Sequence, residues 1–235
     1  MAGRKKKKSR LGRFSIFVLK VLLMLIFLSG LQVLAVKFIN PPFTVQMLLD
    51  KIINGKPLIS QELRHGWRNL DEISPNLRRA VIAGEDQRFI SHHGFDFIEM
   101  NRAFKDLISR GDIRGASTIS MQAARTVFLW PDRSLIRKIL EAYYTMLVEL
   151  FWSKQRILEV YLNTVDWGTG IMGAESAARR YFYRSATWLS PSQAAALAGV
   201  LPSPHRWSPI RPSERVLKRK KRILRDMKKM PLLKD

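Results

Sequence analysis

Phe14–Val36 is a run of 23 residues whose only charge is Lys20, and it constrains the fold of this chain more than any other stretch. At about 1.5 Å rise per residue, such a run wound as a helix covers a hydrocarbon core roughly 30 Å thick. Ahead of it stand Arg4, Lys5, Lys6, Lys7, Lys8, Arg10 and Arg13. A basic head followed by an apolar run also describes a cleaved export signal. This run is long for a signal, and no small-x-small site follows it cleanly, although Ser29, Gly30 and Ala35 are small. The expectation is an uncleaved transmembrane anchor over 14–36, with the head 1–13 kept in the cytoplasm by the positive-inside rule and everything after Lys37 exported.

The exported part has no cysteine, so neither disulfides nor thiolate metal sites support it. Its length suits one folded domain with a core of its own. The whole chain carries +22, and residues 1–36 supply eight of the 41 basic residues and none of the 19 acids, so the remainder is itself basic. Outside the cytoplasm the polyanions such a surface meets are lipid headgroups and lipid-linked phosphates rather than nucleic acid. Ten of the basic residues lie in Arg211–Lys229, which reads as a solvated or membrane-touching helix without chemistry.

Val81–Phe95, VIAGEDQRFISHHGF, sets two adjacent carboxylates, Glu85 and Asp86, in an apolar helical pattern. Residues four apart share a helix face, so Glu85 falls in line with Val81 and Phe89, and Asp86 with Ile82 and Ile90. Burying an ionised carboxylate is costly unless it is paired, and desolvation raises its proton affinity. Each acid is therefore half of a core ion pair or a poised acid or base. The pattern predicts a helix that Ser74 and Pro75 start and that His92, His93 and Gly94 end. Adjacent histidines on a helix point apart and show no third ligand, which argues against a metal at that pair.

Phe95–Ser109 follows as an amphipathic run, with Phe95, Phe97, Ile98, Met100, Phe104, Leu107 and Ile108 beside Arg102, Lys105 and Arg110; it suits a core or a membrane interface. Gly111–Gly115 reads as a turn, and Ser117–Thr118 as the cap of a helix carrying Gln122 and Arg125. Ser134–Trp152 is a strongly apolar helix with Arg137, Lys138 and Glu141 near its start, where a surface ion pair is the default explanation. Ser153 caps Lys154–Leu162, Gly168, Gly170 and Gly173 form a loop, and a helix through Ala177 ends near Tyr181. Ser190, Pro191 and Gln193 make a capping box, and Pro202, Pro204, Pro209 and Pro212 mark an irregular segment. Asn40–Pro42 breaks the helix leaving the membrane, and Gly55 with Pro57 marks a turn. No run alternates as a strand and no repeat occurs, so the pattern is mainly helical.

Five spaced groups in this order resemble the motifs of the family 51 glycosyltransferases, the peptidoglycan polymerases that extend glycan chains from lipid II. Glu85, Asp86, Phe89, His92 and Gly94 are similar to EDxxFxxHxG, and Gly115, Ser117, Thr118, Ile119 and Gln122 to GxSTIxxQ. Arg137, Lys138 and Glu141 match RKxxE, Lys154–Asn163 is similar to KxxILExYLN, and Pro191–Pro204 to the fifth motif. Together they cover roughly residues 75–205 and are specific as a set. The chain has no room for a penicillin-binding domain, which points to the monofunctional branch. It departs from the family in having Arg125-Thr126 for a common Lys-Asn, and Gln193 for Glu. Arg125 keeps the charge but replaces a point charge by a planar fork.

The resemblance implies a mainly α fold: a lysozyme-like helical lobe and a smaller membrane-proximal lobe behind one N-terminal transmembrane helix. Residues 37–73 then form a stalk and entry segment, 74–210 the glycosyltransferase domain and 211–235 a basic tail. The implied reaction moves a growing glycan from undecaprenyl pyrophosphate to the sugar 4-hydroxyl of lipid II, inverting the anomeric centre to give β-1,4-linked strands. Glu85 is the expected general base, since an alcohol nucleophile needs a base within hydrogen-bond reach. Arg125, Arg133 and Lys138 are expected to neutralise the departing pyrophosphate, and Arg102 to lie near the acceptor. Glu141 is expected to be catalytic too, holding a divalent cation, Mg or Mn, at the pyrophosphate or orienting a basic neighbour. Asp86, Ser117 and Gln122 are expected to position substrate, with Phe89, His92, Thr118 and Arg137 also on its binding surface.

No organic cofactor and no nucleic acid are implied. The implied partners are lipid II, the growing glycan, membrane lipids and other cell wall synthases, at a bacterial inner membrane with the catalytic domain periplasmic. Two rivals remain: a lysozyme-like glycosidase, which a glutamate in a helical lobe also suits but which needs no basic lipid-phosphate site, and a membrane-tethered scaffold, which leaves the motifs unexplained.

Overall fold

The computed structural model describes residues 10–54, 66–111, 115–132 and 134–233; the expected turn at Gly55 and Pro57 and the candidate Arg133 lie outside them. Ten described α-helices follow in order: α1 (Arg10–Phe38), α2 (Val45–Asn54), α3 (Pro75–Glu85), α4 (Phe97–Arg110), α5 (Ile119–Phe128), α6 (Leu135–Phe151), α7 (Lys154–Thr164), α8 (Ala174–Phe182), α9 (Pro191–Val200) and α10 (Glu214–Asp226). The only described strands are β1 (Asp166–Gly168) and β2 (Ile171–Met172), an antiparallel pair where a loop was expected. The mainly helical expectation therefore holds.

Side-chain caps set most helix starts, as the sequence suggests. Ser74, Thr118, Ser134 and Ser153 each accept a backbone N–H of the first turn, and Ser190 with Gln193 forms a full capping box. Two groups of helices share one core. Alanine-rich α9 is buried along Ala194–Val200 and lies between α3 and α10, while α5 packs on α6 and α7. A helix that is apolar all round needs partners on both sides, and small side chains let them come close.

Two expectations change, and one open alternative narrows. The helix begun at Ser74 stops at Glu85 and does not run on to His92; Asp86 takes φ −159° as its C-cap because its carboxylate accepts the Ile119 N–H, 3.0 Å away, and lies beside His92. Phe89 is buried and Ile90 is 42% exposed, so the stripes projected across them do not form. The tail expected to be a solvated or membrane-touching helix is instead packed: Val216, Ile223 and Met227 are buried against α3 and α9. The run Phe95–Ser109, left between core and interface, is not core, since on α4 Phe97, Phe104 and Ile108 are 72, 61 and 70% exposed.

Gly94 shows why that position excludes a side chain. Its φ is +88°, and a Cβ there would stand 2.9 Å from Cγ2 of Thr145 on α6. Its carbonyl accepts the Thr118 hydroxyl at 2.6 Å, which ties the loop after α3 to the start of α5.

The apolar half of α1 faces outward, with Phe14, Phe17 and Phe27 at 63–69% exposure, and the span Arg13–Phe38 is long and apolar enough to cross a membrane. Its last turns rest on α6 and α7. Ser29 hydrogen-bonds the Tyr143 hydroxyl at 2.6 Å, Trp152 Nε1 donates to the Val33 carbonyl at 2.8 Å, and Arg156 donates to the Val36 and Ile39 carbonyls at 2.7 and 3.3 Å. The Arg156 donors satisfy carbonyls that the helix end leaves open.

Candidate active site

An open cleft of about 1130 Å³ runs between the end of α3, the start of α5, α4 and α10. Glu85, Asp86, Arg102, Ser117, Thr118, Gln122 and Arg125 all line it, so seven of the sequence-derived candidates converge. Four others do so indirectly. Arg137, Lys138 and Glu141 form a cluster on α6 that reaches the cleft wall through Lys138 Nζ, 3.5 Å from Ser117 Oγ. His92 lies behind Asp86, its Nε2 3.0 Å from both carboxylate oxygens. Phe89 is wholly buried under the Lys154 ammonium, which stands 4.6 Å from its ring centroid, and does not line the cleft.

Glu85 ends α3 where the two helix groups meet. From one side Arg219 of α10 donates to its Oε1 at 2.7 Å, and from the other Gln122 of α5 donates to its Oε2 at 3.1 Å. The Tyr161 hydroxyl donates to Gln122 Oε1 at 3.3 Å and fixes which way that amide points. Burial pushes the Glu85 carboxyl above the usual carboxylate range, and Arg219 and Gln122 only partly oppose it. Its place at the negative end of the α3 dipole acts in the same direction as burial. Burial, with the Glu85 charge nearby, also holds the Tyr161 phenol well above its ordinary pKa, so it stays a donor. The result is a carboxyl with raised proton affinity facing a cleft.

Asp86 has a different task. Both its oxygens are engaged by His92 and the Ile119 N–H, so it joins the end of α3 to the start of α5. Arg125 has no carboxylate within ion-pairing distance among the described residues and lines the cleft, which leaves a guanidinium open to an anion. Arg102 is 62% exposed and paired with Glu99, one turn earlier on α4.

Glu141 does not fit the metal-ligand alternative. It is fully buried, Arg137 Nη1 bonds one oxygen and Lys138 Nζ bonds the other at 2.7 Å, so it orients two basic neighbours and offers a cation no free oxygen. Asp86, His92 and Asp96 are close enough to suggest a metal site. There too the groups are taken: Asp96 Oδ1 accepts two N–H groups and its Oδ2 stands 3.1 Å from Arg88 Nε, whose charge repels a cation.

Arg219 and Tyr161 are the functional-site residues that sequence reasoning missed. Tyr161 stood inside the fourth motif and Arg219 inside the tail. The seven- and four-residue steps from Val216 to Ile223 and Met227 were the available signal that this helix has a buried face.

A family model described as Transglycosylase matches residues 54–228. Among curated relatives, a biosynthetic peptidoglycan transglycosylase of Caulobacter vibrioides is 47% identical over 218 residues, covering 91% of this chain and 93% of that protein. Proteins of the same name from Xanthomonas campestris pv. campestris and Chromohalobacter salexigens are 48 and 46% identical, covering 86 and 91% of this chain and 82 and 92% of theirs.

Proposed function

The chain belongs to the transglycosylase family and is a peptidoglycan glycosyltransferase of cell wall synthesis, and we propose that it polymerises lipid II into β-1,4-linked strands with release of undecaprenyl pyrophosphate. The observation that carries this proposal is Glu85, a carboxyl of raised proton affinity at the floor of a cationic cleft.

In this mechanism Glu85 accepts the proton of the sugar 4-hydroxyl as that oxygen attacks the anomeric carbon of the growing chain. Attack from the face opposite the leaving group breaks the bond to the diphosphate and inverts the centre. Negative charge then gathers on the departing diphosphate, which Arg125 and Lys138 would neutralise, with Arg133 as a further candidate. Glu141 contributes by aiming Arg137 and Lys138. Ser117, Thr118 and Gln122 position substrate or the base, and Asp86 with His92 braces the wall. A divalent cation, Mg or Mn, would come with the diphosphate and not from Glu141.

Membrane lipids are part of the proposal. Beside the apolar α1, the α6 side chains Ile136, Ile139, Met146 and Leu150 are 56–72% exposed, and α4 exposes Phe97, Phe104 and Ile108. Such apolar area suits a bilayer surface that also holds the lipid tail of the substrate. The chain would then cross a bacterial inner membrane once, with its basic head in the cytoplasm and its catalytic lobe outside. Other cell wall synthases are natural partners for such a lobe.

The test is incubation of detergent-solubilised full chain with lipid II and Mg. Polymer that lysozyme digests is expected. Absence of polymer, or cleavage of preformed peptidoglycan in its place, overturns the proposal.

A further inference from the structure

α10 turns a row of four cations toward the cleft. Arg215, Lys218, Arg219 and Arg222 are spaced by three and four residues and share a face, and all four line the cleft while Val216 and Ile223 are buried behind them. Arg215, Lys218 and Arg222 are exposed. Among the described residues neither Arg215 nor Arg222 has a carboxylate within ion-pairing distance; Arg215 instead stands 5.5 Å from the Trp207 ring centroid. The acids of the cleft are committed elsewhere: Asp86 to His92, Asp96 to Arg88, and Glu99 to Arg102. Glu85 is the one that draws on this row, through Arg219.

We propose that α10 is a diphosphate-binding rail, on which Arg219 exchanges Glu85 for the diphosphate of a lipid-linked sugar and so releases Glu85 to act as base. This rests on the assignment of Glu85 above. Arg215 to Arg222 spans about 10 Å of helix axis, which suits a group with several charges on linked phosphates better than a single carboxylate. Guanidinium forks bind phosphate oxygens in pairs, so the row gains most from such a ligand. Arg219 donates to Glu85 and to the Gly84 carbonyl through Nη2 alone, and its buried Nε has no partner, so it has donors to spare. Once Arg219 turns to the anion, Glu85 keeps its burial and loses the main group opposing it, and its proton affinity rises. The base would then strengthen only when a substrate diphosphate is in place.

Titration of the detergent-solubilised full chain with inorganic pyrophosphate tests this, with circular dichroism as a check on folding. Joint replacement Arg215→Gln and Arg222→Gln alters only exposed side chains and should weaken binding by about tenfold, the loss expected for two charge-assisted contacts. Glu85→Gln should strengthen binding about threefold when Arg219 is present, and leave it unchanged in an Arg219→Gln background, because two groups that act through each other are not additive. Equal strengthening in both backgrounds would mean a general field effect and overturn the exchange. Unchanged affinity in the Arg215/Arg222 variant overturns the rail. So does a variant that keeps its pyrophosphate affinity but loses competition of that binding by phosphatidylglycerol mixed into the detergent micelles, which would assign the row to headgroups. None of these measurements needs glycan synthesis, so failure of the polymerisation assay and failure of the rail are separate results.

Discussion

Glu85, largely but not wholly enclosed, and Glu175, buried, are both glutamates bound to an arginine from a distant part of the chain, yet their proton affinities move in opposite directions. Burial pushes both carboxyls up. At Glu175 it is outweighed by donors from Arg68, the Ala186 N–H, Ser185 and Arg179, at 2.7–3.0 Å, and the carboxyl ends below its usual range. Glu85 has two partners, Arg219 and Gln122, and ends above. Helix position acts the same way, since Glu175 lies in the first turn of α8 and Glu85 is the last residue of α3. A saturated buried carboxylate stays ionised; an undersupplied one facing a cleft holds its proton more tightly.

The strongest way to break this contrast is Glu85→Gln. Polymerisation should fall by roughly 10² or more, as loss of a general base implies, while the protein stays folded; lipid II turnover and thermal unfolding on one preparation measure both. A variant that melts early yet keeps its turnover per folded molecule would make Glu85 structural. Glu175→Gln should do the reverse, lowering stability by about 2 kcal/mol, or roughly 4–8 °C in melting temperature, with turnover per folded molecule unchanged.

The arginines extend the comparison. Arg68 is committed to Glu175, whereas Arg125 has no acid partner among the described residues. Arg125→Ala should lower turnover by about tenfold without shifting the melt, and Arg125→Lys should lose less, because charge at the leaving group outweighs fork geometry. Equal losses in both variants would reverse that order.

The smallest effects lie in the pH dependence of stability. Native Glu85 holds its proton more tightly than the unfolded chain does, so its contribution falls as pH rises from the ordinary carboxylate pKa through the raised native one. Native Glu175 holds its proton less tightly, so its contribution is present above the unfolded pKa and is lost as pH falls through the lowered native one. Melting curves across pH should therefore flatten on the acid side in Glu175→Gln, and lose the decline above the carboxylate range in Glu85→Gln.

Local chemistry was readable in the sequence. Ser74–Pro75, Thr118, Ser134, Ser153 and Ser190–Gln193 start helices through bonds made within three residues of themselves. Events set by distant contacts were not. The stop at Glu85 depends on Ile119, and the pairing of Glu85 with Arg219 on a helix whose composition alone looks solvated. The β1–β2 pair is too short to alternate visibly, and α4 keeps an apolar face that periodicity assigns to no partner. Within the site, Glu85, Asp86, Ser117, Thr118 and Gln122 came from motifs, Arg125 from the position three residues beyond one and Arg102 from outside them, while the ion pair between Glu85 and Arg219 came from the fold.

The seam between α1 and the catalytic lobe has a mechanical meaning. Trp152 and Arg156 grip the carbonyls of Val33, Val36 and Ile39, and Val33 is wholly enclosed. A helix clasped in this way is a bracket and not a leash. To swivel on it the rest of the protein would have to break those bonds and uncover Val33, so what holds Phe14–Val36 also bears on the compass heading of the cleft.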